Sequence, residues 1–246
     1  MVKAVIFDLD GTLYDYAKLD KEAGHNVEVF TCKALGISAD KFREAYQSGR
    51  EETKKRLDDF GAGHNRLLYF QKTLEYLDIP PMPLSLQIYE QYWGTFLQNM
   101  TLFPGVQEVF QYLQKKQIPI MICTDLTAHI QHRKIEALGI ASDIKYLVSS
   151  EEAGREKPAR EPFELCLEKL KLPPEHIWYV GDSFEKDIKG AMQVGMKPVW
   201  FHREVKENNE TGDKPVGELS CGETYYREVS DYTQLLSIIK KEGEML

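Results

Sequence analysis

Five short apolar runs recur along the chain, at residues 4–7, 118–123, 146–148, 177–180 and 198–201, and each ends in polar or small residues. Runs of this length, rich in β-branched and aromatic residues, suit parallel strands buried on both faces. Amphipathic stretches of helix length lie between the later ones, at 106–116, 128–138, 162–170 and 184–194. Strand and helix in repeated alternation predict an α/β fold with a Rossmann-like, doubly wound parallel sheet, which takes its ligands beyond the carboxyl ends of the strands.

Residues 15–100 break the alternation. They hold no convincing strand and read as several helices rich in Lys, Glu, Tyr and Leu, with Pro80, Pro81 and Pro83 as an internal break. The spacing predicts a core built from 1–14 and 101–246 and an inserted, all-helical cap domain over 15–100, with Pro104 and Gly105 marking the return. The aromatic group Tyr69, Phe70, Tyr89, Tyr92, Trp93 and Phe96 has helical spacing and reads as the interior of that insertion. Residues 204–222 read as a long polar loop, 225–229 as an edge strand, and 232–241 as a helix that closes the core.

The 246 residues suffice for a sizeable core without a covalent staple. A net charge of -8 argues against a general grip on nucleic-acid polymers or on anionic membranes. The four cysteines form no CxxC pair, which suggests neither a zinc site nor a disulfide framework. Asp8 interrupts the first apolar run, and no other run approaches spanning length, so a cytoplasmic protein is expected.

Phe7-Asp8-Leu9-Asp10-Gly11-Thr12 follows directly on the first strand, so Asp8 and Asp10 leave it at its carboxyl edge. Two carboxylates there repel unless a cation sits between them or one keeps a proton, and both conditions suit metal-assisted phosphoryl transfer. Three further segments converge on the same edge. Cys123-Thr124-Asp125 offers a hydroxyl and turn amides to a phosphate oxygen. Lys157-Pro158 offers a cation. Gly181-Asp182-Ser183 and Asp187 offer hard oxygen ligands at a strand end and in the first turn of the next helix, a donor set suited to Mg²⁺. Singly, these residues read as an Asp-Gly turn, a strand-ending cap, a solvated lysine and helix-capping acids.

Taken together, VIFDLDGTLYD, ICTD, EKP and VGDSFEKD in that order resemble the four motifs of the haloacid dehalogenase-like hydrolase superfamily. The resemblance covers the α/β core, and the insertion resembles the helical cap of that superfamily's first cap class. It implies a Mg²⁺-dependent phosphatase acting on a small phosphorylated metabolite through an aspartyl-phosphate. Asp8 would be the nucleophile and Asp10 the acid/base, with Thr124 and Lys157 neutralising the phosphoryl group. Leu9, Asp10, Thr124, Asp125 and Lys157 would contact substrate, and Asp8, Asp10 through its main chain, Asp182 and Asp187 would hold or orient the metal. LVSSEEAGREKPAREPF is similar to phosphatases and nucleotidases with this cap, although Asp125 and Leu126 stand where many of those carry Asn and Gly.

Several alternatives share the motifs. A phosphomutase or phosphotransferase would use the same intermediate, and a 5'-nucleotidase is a narrower reading. A dehalogenase would have no use for Asp10 as a proton donor, and a binding protein that had lost catalysis would lack one of these residues. Substrate contacts from the insertion are sought at Arg50, His64, Asn65 and Arg66, each with the blander reading of a solvated or capping residue. His129, His132 and Arg133 read as helix surface. A monomer or homodimer is expected.

Overall fold

The computed structural model describes residues 2–57, 60–203, 218–221 and 224–244. The first strand, β1 (Ala4–Phe7), is followed by four long helices: α1 (Tyr16–Leu35), α2 (Ala39–Arg56), α3 (Arg66–Tyr76) and α4 (Leu84–Gln98). Next come α5 (Val106–Lys115), β2 (Ile120–Thr124), α6 (Ala128–Ala137), β3 (Ile144–Ser149), α7 (Ser150–Ala153) and α8 (Arg160–Leu170). The remainder comprises β4 (Ile177–Gly181), α9 (Lys189–Gln193), β5 (Lys197–Phe201), β6 (Glu218–Cys221), β7 (Thr224–Val229) and α10 (Tyr232–Glu244).

The seven strands among the described residues form one sheet in the order β3-β2-β1-β4-β5-β7-β6. Every pairing is parallel except that of β6 with β7. The chain moves outward from β1 through β2 to β3, then returns to the other side of β1 at β4. That reversal is the topological switch point at which open α/β sheets bind ligands.

Side chains alternate across the sheet, as the two-residue period of a strand requires. Ala4, Ile6, Met121, Cys123, Ile177 and Tyr179 pack with Phe163 and Cys166 of α8 on one face. Val5, Phe7, Ile120, Ile122, Trp178 and Val180 pack with Val109 and Phe110 of α5 and Leu235 of α10 on the other. Both faces are dry, which is why these strands read as continuous apolar runs.

The inserted helices have an aromatic interior: Tyr69, Phe70, Tyr89, Tyr92, Trp93 and Phe96 are all buried. Asp15 caps α1 by accepting from Lys18 N at 3.1 Å, and Gly36, at φ 65°, ends it. Where the chain leaves and re-enters the core, Phe103 N donates to Leu13 O at 2.8 Å. No helix among the described residues is long and apolar enough to cross a membrane.

Two expectations need correction. Residues 218–221, placed in the polar loop, form β6, so β7 is flanked on both sides rather than standing at the edge. The run Glu218-Leu219-Ser220-Cys221 carries too little apolar signal to read as a strand, and its backbone pairing with β7 decides the conformation. The rest of that loop, 204–217 and 222, lies outside the described residues. The helix read at 184–194 is also not uniform: a π-turn at Phe184–Ile188 precedes α9.

Candidate active site

Asp8 extends β1 by one ladder bond, its N donating to Val180 O at 2.9 Å, and its side chain is buried. The turn that follows brings Thr12 back beneath it. Thr12 Oγ1 lies 3.1 Å from Asp8 Oδ2 and 3.2 Å from Asp182 Oδ1, and it accepts from Asp182 N at 3.0 Å. One hydroxyl proton thus serves either of two carboxylates, tying the end of β1 to the end of β4.

Lys157 Nζ, also buried, donates to Asp8 Oδ1 at 2.7 Å and to Asp187 Oδ1 at 2.6 Å. It also lies 3.2 Å from Tyr179 OH, and that hydroxyl is 3.1 Å from Cys123 O. Burial alone would lower the ammonium's pKa, but Asp187 and Asp8 outweigh it and hold the group well above the ordinary lysine range. Burial pushes the Asp8 carboxyl well above the usual carboxylate range; Asp187, Asp182 and Asp10 add to the rise, and Lys157 opposes it. The loop carrying Lys157 is fixed by its own N–H, which donates to Asp125 Oδ1 at 3.0 Å, while Asp125 Oδ2 accepts from Lys186 Nζ at 2.8 Å.

A carboxylate oxygen from each of Asp8, Asp182 and Asp187 falls within 4.8 Å of the others. The π-turn aims Asp187 back at the sheet, where its Oδ2 accepts from Ser183 N at 3.0 Å. Gly181 makes room for it, since a β-carbon there would stand 2.4 Å from Asp187 Cγ. Asp182 keeps access to solvent, yet the protein around its carboxyl, helped by Asp187, raises its pKa to about 6. Three acids that share a single ammonium carry excess negative charge. Their hard oxygen donors therefore fit a divalent cation such as Mg²⁺.

The side chain of Asp10 is held away from this acid cluster. Lys134 Nζ donates to both of its oxygens, at 2.7 and 2.6 Å, and Tyr14 OH donates to Oδ1. Gln131 Nε2 lies 3.4 Å from Asp10 Oδ2 and 3.0 Å from Thr124 Oγ1. Burial holds the Lys134 ammonium below its ordinary range, against the pull of Asp10. Sequence reasoning singled out His129, His132 and Arg133 on α6 and passed over Gln131 and Lys134. The available signal was a lysine and a glutamine three apart on the same helix face as Ile130 and Ile135, where polar residues need a partner.

A cavity of about 270 Å³ lies over these groups, lined by Asp8, Asp10, Thr124, Asp125, Lys157, Asp182 and Asp187, with Tyr16 and His64 contributed by the inserted segment. All the acids, the lysine and the threonine expected from the motifs meet there. Leu9 does not: its side chain is buried in the core, leaving only its main chain for a ligand. Of the residues sought in the insertion, His64 alone lines this cavity, its Nε2 3.2 Å from Glu156 Oε2. Asn65 caps α3. Arg66 is buried against Asp20 and Tyr16. Arg50 lines a separate cavity of about 530 Å³, walled mainly by α1 and α2, to which none of the acids of the cluster contributes.

The family model described as haloacid dehalogenase-like hydrolase matches residues 2–195. A ribulose-1,5-bisphosphate 5-phosphatase of Halopiger xanaduensis is 37% identical over 222 residues, covering 89% of this chain and 92% of the relative. A glyceraldehyde 3-phosphate phosphatase of Methanopyrus kandleri is 32% identical over 204 residues, covering 82% of this chain and 85% of that one. A crystal structure of a phosphatase from Thermococcus onnurineus superposes with a TM-score of 0.69 at 24% identity, covering 97% of this chain and 98% of its own. A 2-haloacid dehalogenase from Pseudomonas syringae reaches 0.72 at 22% identity, covering 98% of this chain and 100% of its own; at such identities the likeness is one of fold.

Proposed function

We propose, starting from the fact that this chain belongs to the haloacid dehalogenase-like hydrolase family, that it is a Mg²⁺-dependent phosphatase of a small phosphorylated metabolite. The observation that carries the reading is the position of Lys157 Nζ, 2.7 Å from Asp8 and 2.6 Å from Asp187, beside a third acid, Asp182. A buried carboxylate with a cation against it and further acids around it is an arrangement for receiving an anionic phosphoryl group.

Asp8 attacks phosphorus, forming an acyl-phosphate bond as the bond to the leaving oxygen breaks. Lys157 balances charge on the nucleophile and the incoming phosphate, and the Thr124 hydroxyl and the turn after it bind phosphate oxygens. In its protonated form, Asp10 gives a proton to the departing alkoxide. In the second half-reaction it takes a proton from the water that attacks the phosphoryl group and frees Asp8. Asp8, Asp182 and the Asp10 carbonyl would hold Mg²⁺, with Asp187 orienting its water, and the ion would supply further charge neutralisation. Asp10 as acid/base distinguishes this reading from dehalogenation, because a halide leaves without a proton.

Residues 15–100 act as a cap on this reading, which is supported by Tyr16 and His64 reaching the cavity from the inserted segment. The names of the two relatives direct attention to sugar and triose phosphates. The setting we infer is the cytoplasm, where such metabolites reside, with the protein as a monomer or homodimer. Phosphate release from a panel of sugar phosphates, nucleotides and small acid phosphates, with Mg²⁺ and with EDTA, tests the proposal. Turnover of at least one phosphomonoester that stops in EDTA is expected; no turnover, or full activity in EDTA, would overturn it.

A further inference from the structure

We infer that Lys134 is a positioning residue for Asp10, holding the carboxylate in the orientation that proton transfer needs; this rests on the acid/base reading of Asp10 above. Lys134 belongs to α6 and has no solvent exposure. Its ammonium contacts both oxygens of Asp10, so the carboxylate cannot rotate without losing one of the two charge-assisted bonds. Tyr14 adds a second donor on Oδ1, and the Gln131 contact to Oδ2 is long, at 3.4 Å. With Lys134 removed, only the tyrosine hydroxyl would hold the group firmly.

The surroundings of Lys134 come largely from the inserted helices. Its Nζ lies 5.4 Å from the ring centre of Tyr16 on α1, and 5.5 and 5.6 Å from those of Trp93 and Phe96 on α4. These rings exclude water from the ammonium and face it with their negative π clouds. Replacing both members of such a pair by apolar groups can leave a fold as stable, whereas removing the ammonium alone strands the charge of Asp10. Asp10 keeps one side toward the cavity. The charge on Lys134 is explained by what it does to Asp10.

The test uses the full-length protein with Mg²⁺, comparing wild type, Lys134→Met, Asp10→Asn and the double variant. The substrates are p-nitrophenyl phosphate and the alkyl phosphate that the wild type turns over fastest. Lys134→Met should lower kcat on the alkyl phosphate by roughly 10²-fold, as expected when a reacting group is misplaced by about an ångström. KM should stay within about twofold, since Asp8, Thr124 and Lys157 are untouched. Single-turnover formation of the phosphoenzyme should suffer less with p-nitrophenyl phosphate, whose leaving group needs no proton. The melting temperature should fall, but by less than for Lys157→Met, because the stranded Asp10 carboxylate keeps access to water from the cavity. Added to Asp10→Asn, Lys134→Met should cost less than about twofold more, because both changes remove one unit.

Full additivity in the double variant, or activity of Lys134→Met within about threefold of wild type, would overturn the inference while leaving the acid/base role intact. Wild-type activity in Asp10→Asn on the alkyl phosphate would instead remove that role, and the inference with it. Should Lys134→Met fail to fold, Lys134→Gln, which keeps a donor but loses the charge, is put through the same comparisons and judged by the same outcomes.

Discussion

A β-carbon on Gly11 would stand 2.4 Å from Asp182 Oδ2, so the turn after Asp10 and the acid at the end of β4 occupy space that only glycine leaves open. The backbone adds a second demand, since Gly11 has φ 89°, where other residues are strained by about 1–3 kcal/mol. Gly11→Ala should therefore displace Asp182. Calorimetric titration should show Mg²⁺ affinity reduced by about tenfold or more, the scale seen when groups supporting a metal site are disturbed. Gly24→Ala is the control: nothing lies within 4 Å of a β-carbon there, inside α1, so this change should leave metal binding unaltered and stabilise by up to about 1 kcal/mol.

The raised pKa of Asp182, about 6, sets the sign of a pH effect. Without metal, the unfolded chain ionises this carboxyl at lower pH than the folded one does. Its contribution to stability is therefore complete below about pH 4 and is lost as pH rises through about 6. Bound Mg²⁺ needs the carboxylate and reverses that trend. Thermal melts with saturating Mg²⁺ and with EDTA should differ more at pH 7.5 than at pH 4.5. Equal metal-induced shifts at the two pH values would place the cation elsewhere.

Lys157 is the ammonium between Asp8 and Asp187, and removing one member of a buried charged group leaves the others uncompensated. Lys157→Met should cost about 3–5 kcal/mol in urea unfolding without metal. Saturating Mg²⁺ should recover part of that loss, because the ion neutralises the same acids. Turnover should fall by at least about 10²-fold even with metal, because the phosphate loses its cationic partner. A variant that binds Mg²⁺ normally and keeps wild-type turnover would show Lys157 to be structural.

The sheet was legible because its central strands are buried on both faces, and such strands write themselves as unbroken apolar runs; residues 177–180, for instance, match the observed Ile177–Gly181 to within one residue. β6 was not, since its four residues follow from backbone pairing with β7 rather than from side chains. The acids of the site were legible from their places along the chain, Asp8, Asp10 and Asp182 standing just past a strand and Asp187 in the turn that follows. Lys134 and Tyr14 were not, because their importance lies in a meeting with Asp10 across 124 residues in one case and within a turn in the other. Neither meeting leaves a spacing rule in the chain.

The two carboxylates of the first motif should fail in different ways when changed, and their surroundings say how. Asp8 sits between Lys157 and Thr12 with its side chain buried, whereas Asp10 turns toward Lys134 and Tyr14. Asp8→Asn replaces the nucleophile with a carboxamide and weakens the acid cluster, so no covalent intermediate should form. Asp10→Asn leaves nucleophile, lysine and acid cluster in place but cannot carry a proton, and loss of a positioned acid/base typically costs about 10²–10⁴-fold. With p-nitrophenyl phosphate the first half-reaction needs little protonation while the second still needs an activated water. The Asp10→Asn protein should therefore accumulate an acid-stable, base-labile phosphoenzyme. Mass spectrometry after rapid acid quench should find one added phosphate on the peptide containing Asp8, absent from the Asp8→Asn protein. An adduct on any other peptide, or normal turnover by Asp8→Asn, would assign the nucleophile to a different residue.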